Sequence, residues 1–188
     1  MYVVSYFHQL GGHDWLTTAD ALRIIPIGMV TQSLTGPFGA ALQKRYNPKL
    51  IMAVGSLIQI SAMQIAARQT QWYYFFFFYG IMFPFGVGIV YYTPMICAWE
   101  WFPKNRGLAG GIIIAGYGLG ASITGPLTTY VANPHNLFQV PNPVESSALK
   151  TIYPTEVTDK VPEMIKTVSY FFMLMGTVGT LCISRKPQ

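Results

Sequence analysis

Apolar residues collect in five long runs, at 24–42, 50–67, 72–98, 108–132 and 166–184, with short polar breaks between the first four and a longer one before the last. A helix needs roughly 20 apolar residues to cross the hydrocarbon core of a bilayer, so each run predicts one crossing. The predicted fold is an all-α integral membrane protein with five transmembrane helices. A shorter apolar piece at 2–7 cannot cross and reads as the last turns of a helix whose beginning is absent. The expected organisation is therefore 1–16 as the end of a truncated first helix and a loop, 17–132 as four transmembrane helices, 133–165 as a polar outward-facing loop, and 166–188 as the fifth helix with a basic tail.

The breaks carry helix punctuation. Thr17 and Asp20 have the spacing of a capping box, in which a hydroxyl and a carboxylate satisfy amides at a helix start, so the first span is expected to open near Thr17 or Thr18. Asn47-Pro48 predicts a tight turn, residues 68–71 a second one, and residues 101–107 a connection with Trp101 and Phe102 at interface depth. The segment 133–163 is polar and proline-rich, with a short surface helix expected near Glu163.

Alternating crossings sort the charges into two sets. One end carries Lys44, Arg45, Lys49, Lys104, Arg106, Arg185 and Lys186 with Glu100 as its acid; the other mixes Arg23, Arg68, Lys150, Lys160 and Lys166 with Asp14, Asp20, Glu145, Glu156, Asp159 and Glu163. The positive-inside rule places the first set, and with it the C-terminus, in the cytosol or a mitochondrial matrix.

Composition agrees with a lipid environment. Only 10% of the 188 residues are charged, against about 25% in soluble domains. The 18 glycines and 13 prolines are tolerated where neighbouring helices re-satisfy freed backbone groups. The net charge of +5 lies in small clusters with no basic stripe, so nucleic acid is not an expected partner. Cys97 and Cys182 sit in apolar runs and read as packing residues. His8, His13 and His135 have no metal-ligand spacing around them, and no metal or other cofactor is expected. No nucleophile–base pair or phosphate loop supports an enzyme.

Within the fourth span, small residues recur at helix-face spacing, Gly116 with Gly120 and Ala121 with Gly125, and the run before carries Gly86 and Gly88. These predict close helix packing. Pro26, Pro37, Pro84 and Pro94 predict kinks. No Asp, Glu, Lys or Arg lies in the middle of a span, so no proton relay is expected. Gln32, Gln59, Gln64, Tyr91, Tyr92 and Tyr117 are the polar candidates; Gln32 and the three tyrosines are taken as possible pathway-lining residues, with interhelical hydrogen bonding as the plainer role. The aromatic run 73–79 predicts an interfacial belt.

The stretch 86–126 has a specific signature: Gly86-x-Gly88, Tyr91-Tyr92, then Trp101-Phe102-Pro103-x-x-Arg106-Gly107-Leu108-Ala109-x-Gly111, then Gly116-x-Gly118-x-Gly120-Ala121 and Pro126. It resembles helices four and five, with their connecting loop, of the oxalate/formate antiporter (monocarboxylate transporter-like) branch of the major facilitator superfamily. By that resemblance the chain corresponds to helices two to six of the N-terminal half, and Gln43 to Lys49 fall where the family carries its helix-two to helix-three signature. The signature acid is missing. The second six-helix half, which in oxalate-transporting relatives supplies the basic residues for substrate carboxylates, is absent, so the resemblance implies one wall of a rocking two-half transporter.

Two functions remain open on these residues. One is a transporter-derived accessory subunit whose partners are the bilayer and the other membrane subunits of a larger assembly, expected in the mitochondrial inner membrane. The alternative is a fragment or split part of a monocarboxylate transporter, with a small carboxylate as substrate.

Overall fold

The computed structural model describes residues 2–144 and 147–185; Glu145 and Lys186, counted above among the loop charges, lie outside the described residues. The chain begins with α1 (Tyr2–Gln9), followed by α2 (Thr18–Leu22) and α3 (Ile24–Gln43). Thr17 accepts from the Asp20 amide at 3.3 Å while Asp20 accepts from the Thr17 amide at 2.9 Å, which completes the capping box. Arg23 closes on Asp20 at 2.6 Å and links α2 to α3 with helical backbone angles.

After the Asn47 turn, α4 runs over Pro48–Ala66, with the Asn47 side chain accepting from the Lys49 amide at 2.9 Å. The next helix starts as α5 (Trp72–Phe77), widens into a π turn over Phe78–Met82 and continues as α6 (Phe83–Trp101). Pro84 causes the widening: it has no N–H to return to the Gly80 carbonyl one turn earlier, and a π turn absorbs the mismatch. Pro37, Pro94 and Pro126 each lack the same N–H, but the α-helical assignment runs unbroken on both sides of them, so the helix widens into a π turn only before Pro84. α7 spans Arg106–Ala132; β1 (Val140–Pro141) and β2 (Thr151–Ile152) form a small antiparallel hairpin; α8 (Thr155–Thr158) and α9 (Val161–Cys182) complete the order.

One boundary is corrected. The last helix begins at Val161 rather than Lys166, because hydropathy marks where lipid contact begins, whereas a helix starts where its first turn is satisfied. Here Pro162 occupies the first turn and Glu163 complements the dipole. Also, among the described residues four helical stretches meet both length and hydropathy for a crossing: Pro48–Ala66, Trp72–Trp101, Arg106–Ala132 and Thr155–Cys182. The helix Ile24–Gln43 has the length, 20 residues, but Thr31, Gln32, Ser33 and Thr35 lower its hydropathy. The Thr31 and Thr35 hydroxyls return to the carbonyls of Ile27 and Thr31, at 2.9 Å each, which removes much of their cost in lipid.

Helix α6 is the axis of the bundle, packed between α3 and α4. Glycines set those contacts. A Cβ on Gly39 would lie 2.3 Å from the Ile89 carbonyl oxygen, one on Gly88 2.7 Å from the Gln32 carbonyl oxygen, and one on Gly86 2.9 Å from the Gly55 carbonyl oxygen. These backbone oxygens cannot swing aside, and at Gly88 the Thr35 hydroxyl and at Gly86 the Gln59 side chain stand closer still. α9 lies against α4 with Gly176 over Ser56 and Gln64 donating to the Ser169 hydroxyl at 3.2 Å.

Large buried side chains gather at one end instead, where Val4, Phe7, Leu16, Met63, Trp72, Phe75 and the α9 residues Val161, Ile165 and Val168 form one cluster. The loop after α7 is fastened over it. Tyr153 N donates to Ser5 at 3.1 Å, Gln9 donates to the Tyr153 carbonyl at 2.8 Å, and Ala148 N donates to the Asp14 carbonyl at 2.9 Å. His8 Nε2 meets the Leu16 carbonyl at 2.7 Å, so it donates there, and Nδ1 accepts from Ser147 at 3.0 Å. The described parts of the segment 133–160 thus form a docked cap, and the opposite end, with the Asn47 turn, the Trp101 connection and Arg185, is basic.

The expectation of tight packing by the fourth span is not met within this chain. Gly116, Gly118, Gly120 and Gly125 have nothing within 4 Å of a built Cβ, Ala121 is exposed, and Leu108, Ile112, Leu119 and Ile123 are likewise exposed. α7 touches α6 and α9 along narrow seams. Gly39→Ala is expected to destabilise the bundle by about 1–3 kcal/mol through overpacking, whereas Gly116→Ala is neutral or slightly stabilising. Thermal unfolding of both variants in mild detergent checks this; equal midpoints would contradict the packing described.

Candidate functional site on the open face of α3, α6 and α7

Gln32 on α3, Tyr91 and Tyr92 on α6 and Tyr117 on α7 come from three separate breaks in the hydropathy pattern, and the fold brings all four together. The Tyr117 hydroxyl donates to Gln32 Oε1 at 3.2 Å. The Tyr91 ring meets Tyr117 edge-on at a centroid distance of 5.4 Å and Tyr92 edge-on at 5.2 Å. Tyr92 lies over Gly36, where a Cβ would come within 2.5 Å of its ring. Gln32 is held in place by its own backbone, whose carbonyl rests on Gly88. The glycines that let α3 and α6 approach therefore also fix the polar side chains.

Depth follows from counting along the helices. Gln32 is eleven residues from Gln43, Tyr91 ten from Trp101 and Tyr117 eleven from Arg106, all termini at the basic end. At 1.5 Å per residue that is about 16 Å, half the roughly 30 Å hydrocarbon thickness. The cluster opens away from the bundle: Gln32, Tyr91 and Tyr92 are half-buried and Tyr117 is 55% exposed.

Chemically, the site offers neutral hydrogen-bond donors. Gln32 Oε1 accepts from Tyr117, while the Gln32 amide NH2 and the Tyr91 and Tyr92 hydroxyls are groups of the donor type. These groups suit an anionic or carbonyl oxygen and supply no charge of their own. Nothing in the cluster is a nucleophile–base pair.

Other residues singled out in the sequence have structural work. Gln64 bridges α4 to α9, and Gln59 packs on Gly86. In the Trp101–Gly107 connection, the Trp101 indole donates to the Ser184 carbonyl at 3.0 Å and the neighbouring Trp99 indole to the Arg106 carbonyl at 3.0 Å. Phe102, Pro103, Arg106 and Gly107 are exposed around these two anchors. Cys97 is buried but Cys182 is exposed, so only the first is a packing residue inside this chain. Sequence reading missed Gln43, which is 1% exposed and donates to the Thr93 carbonyl at 3.3 Å and to Cys97 Sγ at 3.4 Å. Its position at the end of an apolar run was the available signal.

Comparison with known proteins gives a consistent picture. Residues 9–141 match the Major Facilitator Superfamily. Apicoplast pyruvate carrier 1 of Toxoplasma gondii is 23% identical over 183 residues, 94% of this chain and 34% of that protein. An MFS-type transporter of Gibberella moniliformis is 31% identical over 121 residues, covering 64% of this chain and 29% of its own length. Monocarboxylate transporter 13 of Bos taurus is 24% identical over 110 residues, or 58% and 26% of the two chains. The chain thus spans about a third or less of the length of these curated relatives.

The Tyr117–Gln32 bond is expected to couple α7 to α3 by about 0.6 kcal/mol, the average for polar contacts between membrane helices. A double-mutant cycle of Tyr117→Phe and Gln32→Leu, read by unfolding in detergent, measures it; strictly additive effects would show that α7 is not tied to α3 through this pair.

Proposed function

The chain belongs to the Major Facilitator Superfamily, and on that premise we propose that it forms one wall of a membrane pathway for small monocarboxylates, lined by Gln32, Tyr91, Tyr92 and Tyr117. The observation that carries the reading is the convergence of these four side chains at half the membrane depth. Transporters with two halves bind substrate near the midplane, at the interface between them, and the cluster lies on a face that no further helix covers among the described residues. Two of the relatives are named for pyruvate or monocarboxylate transport, and neutral donors in this arrangement suit a carboxylate or its α-keto oxygen. A full counter-charge has to come from outside these four residues, since charge-assisted bonds are the strong ones and the cluster has no cation. Within the superfamily, the Trp101-Phe102-Pro103-x-x-Arg106-Gly107 string supports the oxalate/formate antiporter branch.

A second reading has its own support. The lipid-length helix α7 exposes nearly all its surface, glycines included, which suits a chain that docks into a larger membrane complex as an accessory subunit, with the mitochondrial inner membrane as its proposed site. In either reading the basic end, with Arg185, is proposed to face the cytosol or matrix.

Uptake of labelled pyruvate into vesicles of the native membrane decides between them. The pathway reading expects uptake that depends on the protein and falls about tenfold or more in Gln32→Leu and Tyr117→Phe at equal abundance, because a hydrogen bond to a charged group contributes roughly 1.5–3 kcal/mol. No protein-dependent uptake, together with migration in a complex of several hundred kilodaltons on native electrophoresis, would leave the subunit reading standing alone.

A further inference from the structure

At the basic end of the bundle the chain folds back on itself. The Arg185 guanidinium donates to the Gln43 carbonyl, and the Trp101 indole holds the Ser184 carbonyl. Ser184 and Arg185 are thereby pinned beside the turn between α3 and α4. A cavity of about 340 Å³ lies between them, lined by Arg45, Tyr46, Lys49, Ser184 and Arg185 around the Asn47-Pro48 turn.

The lining holds three cations, and among the described residues no carboxylate lines it. Glu100, the acid at this end, is not part of it, and the one ion pair among the described residues, Arg23–Asp20, is at the other end. The positive end of α4, a 19-residue helix, opens on the same space. Three like charges around one small volume make it a favourable place for an anion. Volume and charge both suit a phosphate group with a small polar substituent.

The surroundings say what carries the phosphate. Along the helices that lead away from the cavity, α4 exposes Leu50, Val54 and Leu57, and α9 exposes Leu174, Val178 and Leu181. Each set has the spacing of one helix face. Tyr46 and Trp101 are exposed at the same level, as aromatic side chains are at the membrane interface. A ligand here has a negative head in the cavity and apolar chains along two greasy stripes. Basic pockets between helices on the cytoplasmic or matrix side have this character. We infer that the cavity is a headgroup site for an anionic phospholipid, its phosphate held by Arg45, Lys49 and Arg185 and its acyl chains lying on α4 and α9. The inference needs only the membrane fold and holds under either function proposed above.

The test uses the purified full protein in nanodiscs of phosphatidylcholine with or without phosphatidylglycerol. Bound lipid is counted by native mass spectrometry, and stability is followed by thermal unfolding. Phosphatidylglycerol is expected to be retained and to raise the unfolding midpoint. Arg45→Gln with Lys49→Gln is expected to weaken its retention roughly thirtyfold, since each basic residue near an anionic surface contributes about fivefold. Lys150→Gln with Lys160→Gln, at the capped end, is the control and leaves retention unchanged. The charge-keeping pair Arg45→Lys with Lys49→Arg separates lost binding from lost folding, because it restores retention only if charge is what matters. Equal retention of both lipids, or retention untouched by the Gln pair, overturns the proposal. So does saturation of the site by inorganic phosphate at the same concentration as by lipid phosphate, which would make it a site for a free anion.

Discussion

The close approach of α6 to α3 and α4, made possible by glycine at the points of contact, is the constraint on which the other features depend. In lipid there is little hydrophobic gain from pressing one apolar helix on another, so association relies on van der Waals fit and interhelical polar contacts. Gly39 against the Ile89 backbone and Gly86 against Gly55 provide that fit. Gly88 against Gln32 does the same and, in addition, places a polar side chain at the edge of the bundle beside Tyr91 and Tyr92.

From this axis the remaining helices are held with decreasing firmness. α9 is secured to α4 by small residues and the Gln64–Ser169 bond, and at its start by the apolar cluster around Phe7 and Trp72. α7 is held to α3 by one bond from Tyr117 and shows lipid-length apolar surface almost everywhere else. The molecule thus has a closed side, where helices are interlocked, and an open side, where the polar cluster lies. A wall of a pathway and a docking face both need such an open side, so both functional readings draw on it.

The two ends of the bundle are built by different means. One is sealed by the docked loop, with His8, Ser5 and Gln9 bonded to segments far along the chain and large side chains buried below. The other is drawn together by Trp101, Gln43 and Arg185 around cations that form no ion pair among the described residues. That difference follows the charge distribution: the mixed end can satisfy itself, and the basic end looks outward for anions.

Much of this was legible in the residues. Apolar runs of lipid length, the Thr17–Asp20 box and the Asn47-Pro48 turn are local signals, because helix crossing and helix capping are decided by neighbours within a few positions. The Trp101–Gly107 string carried the family for the same reason. Which glycines pack was not legible: Gly86 and Gly116 look alike along the chain, but one faces a helix backbone and the other open space. The start of α9 was misplaced because lipid contact and helix initiation are separate events. Gln32, Tyr91 and Tyr117 could be picked out as polar residues in apolar helices, yet their meeting at one depth, and the cavity between Arg45 and Arg185, depend on distances between helices. Sequence alone determined that the chain crosses a membrane and with what ancestry; tertiary structure alone decided which faces are covered, because burial is set by contacts between segments far apart in the chain.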